Sequence, residues 1–143
     1  MSVNVEFILG SDDLNVEGID SVLNIHPSHI RTNIPPNSIA TPEWWIEAKE
    51  ESLCVDKTVR SIAKKLSGRK QKIEHICKQF HVVPKLIIRV YSNYANRPDF
   101  SLSPKTVKFF AALSTEVIID LEAIYDQKIE EQDTSTGDVS TCY

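Results

Sequence analysis

Cys77 and His81 stand four positions apart in a segment with helical periodicity, near enough to share one metal ion. His75 is two positions from Cys77 and therefore points elsewhere, which leaves a zinc site without its third and fourth ligands. Cys77 reads instead as a small core residue among Ile73, Ile76 and Phe80. His26 and His29, followed by Arg31, could form an acid–base or phosphate site, since histidine titrates near neutrality. No carboxylate has a forced position beside them, so solvated loop histidines are the competing account. No metal and no cofactor is expected.

Carboxylates gather at two places in the chain. Asp12, Asp13, Glu17 and Asp20 surround a first turn and helix, and Glu43, Glu47, Glu50 and Glu51 accompany a second strand. Paired carboxylates can hold a divalent cation, but no calcium-loop spacing is present. They can equally form an acidic docking face for a basic partner, or a solvated face with helix-capping roles. Trp44 and Trp45 are adjacent on a strand and should face opposite ways, one into the core and the other either anchoring an interface or buried in its turn, as large aromatics that serve packing are. Arg89, Tyr91, Tyr94 and Arg97 mix basic and aromatic residues as an RNA surface would, but in a chain of net charge −4 without an RNA-binding motif they read as an ordinary strand surface and loop.

The chain has 143 residues and a formal net charge of −4, which disfavours nucleic acid as the principal partner. It has no G-x-G-x-x-G, Walker A, H-E-x-x-H or G-x-S-x-G pattern, and only 4 glycines with which to cradle a phosphate. An enzyme is not the expected reading. No apolar run reaches the roughly 20 residues of a membrane span, and the first residues lack a signal-peptide pattern. Three cysteines, Cys54, Cys77 and Cys142, without C-x-x-C spacing, suggest reduced thiols and a cytoplasmic location.

The elements that would position these groups follow from periodicity. Val3 to Leu9 alternates and then becomes apolar, as a strand does, and Gly10-Ser11-Asp12-Asp13 ends it. Val16, Ile19, Val22 and Leu23 mark a short helix. Residues 26–43 hold four of the 7 prolines and read as extended loop. Trp44 to Ala48 reads as a strand. From Asp56, the stripe Val59, Ile62, Leu66, Ile73, Ile76 and Phe80 predicts a helical region that Gly68 divides in two. Pro84 to Tyr91 and Thr115 to Leu121 read as strands, with a helix between them capped by Ser103 and opened by Pro104. The expectation is an α+β fold in the order β-α-β-α-β-α-β: a mostly antiparallel sheet of about four strands with helices on one face. Residues 1–125 would form one domain, and the acidic, polar residues 126–143 a frayed tail.

Several of these segments resemble the bacterial domain of unknown function 4279 family: Phe7-Ile8-Leu9-Gly10-Ser11-Asp12-Asp13 followed by Ile19 to Ile25, Trp44-Trp45, and Leu102-Ser103-Pro104 preceding a helix and Val117-Ile118-Ile119-Asp120-Leu121. The resemblance spans about residues 3–124. The proline-rich segment and acidic tail depart from the usual pattern. It implies no activity and no catalytic residues. It does imply a lead, because small acidic domains of this kind are often encoded beside toxins and act as immunity proteins. The expectation is therefore a cytoplasmic protein that binds and occludes a cognate toxin through Asp12, Asp13, Glu17, Asp20, Trp45, Glu47 and Glu50. The alternatives are a small-molecule or peptide-binding module with residues 26–42 as a lid, and a hydrolase built on His26 or His29.

Overall fold

The computed structural model describes residues 2–52, 54–93 and 99–123. The first strand, β1 (Ser2–Gly10), buries every second residue. Val3, Val5, Phe7 and Leu9 are fully enclosed, while Asn4, Glu6 and Ile8 turn to the other side. Helix α1 (Val16–Leu23) buries Val16, Ile19 and Leu23 and ends at Asn24 in the left-handed conformation, φ 53°.

A short strand, β2 (His29–Arg31), precedes β3 (Glu43–Glu50). Two helices follow, α2 (Val55–Leu66) and α3 (Lys70–Phe80), and Gly68 at φ +79° makes the turn between them. The division expected at Gly68 is therefore present. Strand β4 (Lys85–Ser92) leads to α4 (Pro104–Ala112) and then to β5 (Glu116–Ala123). Ser103 caps α4 by accepting from the Thr106 N–H, with Pro104 in the first turn.

The strands form one five-stranded sheet in the order β2-β3-β1-β4-β5. β1 is central and antiparallel to β3 and β4, and β2 is antiparallel to β3. β4 and β5 run parallel, which a hairpin cannot achieve, so α4 serves as the crossover. The sheet is thus mixed and has five strands, where a mostly antiparallel sheet of about four was expected. The extra strand is β2. It lies in the proline-rich segment, and three residues are too few to show a period.

The core lies between one face of the sheet and the helices. Leu86, Ile88 and Val90 of β4 and Trp44 and Ile46 of β3 join the β1 residues there. Val59, Ile62, Leu66, Ile73, Ile76 and Phe110 close it from the helix side. Helix α2 lies across β1, β3 and β4. Cys54 is disulfide-bonded, which corrects the expectation of reduced thiols throughout. No helix among the described residues is long and apolar enough to cross a membrane. The expected tail, 126–143, and the loop residues Tyr94 and Arg97 also lie outside the described residues.

Candidate functional site

The strands place the residues expected at a binding surface on both sides of the sheet. Alternation along β3 sends Trp44 into the core, 0% exposed, and Trp45 to the face that carries no helix. There Trp45 stacks on His29 of β2, with ring centroids 5.1 Å apart and planes 29° from parallel. Glu47 shares that face, 3.9 Å from His29 Nε2 and 3.4 Å from Lys49 Nζ. The carboxylate that the sequence could not assign to His29 is therefore Glu47. At 3.9 Å, with the His29 side chain 54% exposed, the pair is a solvated contact and not a held base. β2 also extends the sheet at its edge and does not close over a face as a lid.

The other expected acids stand elsewhere. Asp20 lies on α1, across the sheet from Trp45, and its Oδ1 accepts the Trp44 indole N–H at 2.9 Å. That bond satisfies the one donor Trp44 carries into the core. Glu50 is on the helix side and accepts from the Ser61 hydroxyl of α2 at 3.2 Å. Asp12 and Asp13 occupy the exposed turn after β1, and the Asp13 carboxylate meets His81 Nδ1 at 3.2 Å. Glu17 is exposed in the first turn of α1. The seven residues do not make one patch, because the sheet stands between Trp45 and Glu47 on one side and Asp20 and Glu50 on the other.

Cys77 and His81 do not converge on a metal. His81 terminates α3 in the left-handed conformation, φ 56°, and its ring turns to Asp13. Burial, with a smaller contribution from Glu74, pushes the Cys77 thiol up to about 11, so at neutral pH it is a protonated thiol and a poor ligand. Among the described residues no group of three His, Cys, Asp or Glu side chains could hold a metal ion.

On the uncovered face, register brings Glu6, Arg89 and Asp120 together from β1, β4 and β5. Arg89 Nη1 donates to Glu6 Oε1 at 2.6 Å, and its Nε lies 3.9 Å from Asp120 Oδ2. The Glu6 and Arg89 side chains are 14% and 28% exposed, so solvent weakens this contact less than a fully exposed pair. The arginine straps the last strand to the centre of the sheet.

That last strand is where the surface is least ordinary. Its register pairs Val117 with Leu86, Ile119 with Ile88 and Leu121 with Val90, so all three point to the helix-bearing face. Their β4 partners are buried, yet Val117, Ile119 and Leu121 are 43%, 56% and 60% exposed. The helix layer is centred on α2 over β1, β3 and β4, and it stops short of β5. Glu116, Ile118, Asp120 and Glu122 occupy the opposite face of the strand. On its outer side β5 pairs with no strand among the described residues. Sequence reasoning recognised the strand and missed its place. The available signal was a β-rich run, Val117-Ile118-Ile119, continued by Leu121 and flanked by Glu116, Asp120 and Glu122.

The family model described as a domain of unknown function (DUF4279) matches residues 1–123. Comparison with curated proteins gave no match, and comparison with solved structures gave none. A match over that share of the chain, across every strand and helix just described, establishes that the protein belongs to this family of domains of unknown function.

Proposed function

We propose that this domain is an immunity protein, which binds a cognate toxin domain and occludes its active surface. The observation that supports the reading is the β5 edge, with Val117, Ile119 and Leu121 exposed on one face and Glu116, Asp120 and Glu122 on the other. Exposed apolar surface along an unpaired strand is the surface type on which partner chains add a strand. The acids Glu116, Asp120 and Glu122 favour a partner segment that carries both basic and apolar residues. Trp45 and Glu47 of β3 and His29 of β2 offer a second contact on the uncovered face, three and four strand spacings, or about 14 and 19 Å, from β5. Asp12, Asp13, Glu17 and Asp20 then contribute long-range steering and not contact.

Co-expression with any toxin domain found encoded beside the gene tests this reading. The expected result is a complex stable to gel filtration and protection of the host. Ile119→Lys with Leu121→Lys abolishes both and leaves the thermal transition nearly unchanged. Absence of complex and protection with the wild-type chain overturns the immunity reading; full binding by the double variant overturns the assignment to β5. The reading places the protein in the cytoplasm of the producing cell. The Cys54 disulfide weighs the other way, since bonded thiols are rare in a reducing compartment. Alkylation of the thiols at the moment of lysis reads which state the cell holds.

A further inference from the structure

The helix layer carries a feature of opposite charge. Lys57, Arg60 and Lys64 recur at intervals of three and four along α2, which puts them on one stripe. Lys105 and Phe109, four apart on α4, face that stripe across the contact between the two helices. Between them lies a groove of about 780 Å³ whose lining holds these four cations and no carboxylate. A quarter of the 16 lysines and arginines of a chain with net charge −4 thus line one groove.

Two neighbouring acids are already engaged. Asp56 holds Arg60 Nε at 3.1 Å and accepts the Ser103 N–H at 3.0 Å, fixing both the guanidinium and the start of α4. Glu50 accepts from Ser61. Lys57, Lys64 and Lys105 form no ion pair among the described residues. Like charges at these helical spacings repel, and a bound anion relieves the repulsion.

The volume falls within the range of small-molecule sites. Phe109, half-buried, gives the groove an apolar wall on which a flat ring can stack. The amino end of α4 opens at the same groove through Ser103 and adds its partial positive charge. An extended polyanion would meet the acids distributed over the rest of the surface, whereas a compact one meets only the groove. We infer that the α2–α4 groove binds a small phosphorylated ligand carrying a planar ring, of the nucleoside phosphate class. This site stands whether or not β5 takes a partner.

The test is titration of ADP, inorganic pyrophosphate and adenosine into the full chain, followed by amide chemical shifts. The expected result is saturable ADP binding by about 1 mM, with shifts confined to α2 and the first turns of α4. Pyrophosphate binds more weakly and adenosine does not bind. Lys57→Gln with Lys64→Gln weakens ADP at least tenfold, and Lys72→Gln on α3, away from the groove, changes nothing. Phe109→Leu weakens ADP and leaves pyrophosphate unchanged. No saturable shift with either phosphate, or ADP binding indifferent to the paired lysine substitutions, overturns the site. Pyrophosphate binding as tightly as ADP overturns the ring.

Discussion

β2 and β5 both end the sheet, and they do so in opposite ways. β2 is three residues long, all exposed, with Pro27 before it and Pro35 and Pro36 after it. Arg31 on that edge faces Glu43 at 3.7 Å, and His29 stacks on Trp45. Short length, charge and nearby proline are the usual means of preventing another chain from adding to an edge. β5 has none of these on its helix-bearing face: eight residues, Val117, Ile119 and Leu121 exposed, and no proline. An edge this open invites aggregation unless something specific covers it. The contrast teaches that the fold can protect an edge, does so at β2, and among the described residues builds no such protection at β5.

Four variants probe that contrast, in decreasing order of effect. Ile119→Lys with Leu121→Lys is expected to weaken partner binding at least 100-fold, about 2.7 kcal/mol, read by titration calorimetry against the toxin domain. Binding of a hydrophobic dye should fall with it. Arg89→Met leaves Glu6 without its partner and loosens β5 from the centre of the sheet. Because the arginine side chain is 28% exposed, the cost is reduced to about 1–2 kcal/mol. Amide exchange should accelerate along β5 and not along β2; equal acceleration at both edges would mean the strap is not local. Ser103→Ala removes the cap of the crossover helix for about 1 kcal/mol, measured by chemical denaturation with an unchanged m-value. Ile30→Lys on β2 should change stability by no more than about 0.5 kcal/mol and leave binding intact. A loss of binding there would erase the difference between the edges.

Much of the fold was legible because it rests on local periods. The β1 alternation, the opposed directions of Trp44 and Trp45, the break at Gly68 and the Ser103-Pro104 start of α4 depend on neighbours a few residues away. β2 escaped notice because its pairing partner is β3, more than ten residues on, and nothing within His29-Ile30-Arg31 encodes that pairing. The division of the expected contact residues between two faces has a related reason. Trp45, Glu47 and Glu50 are close in sequence, but their faces are decided by strand parity, and that of Asp20 by α1 packing on the helix side.

What the amino-acid order determined by itself is the set of elements and which residues of each turn inward, since backbone geometry repeats every two or 3.6 residues whatever surrounds it. Only the tertiary structure decided strand order, the parallel pairing of β4 with β5, and so which strand is left at an edge. The same holds for the groove: Lys57 and Lys105 are 48 positions apart in the chain, and they share a wall only because α4 packs against α2. Long-range adjacency depends on how whole faces bury against one another, and no local period carries that information.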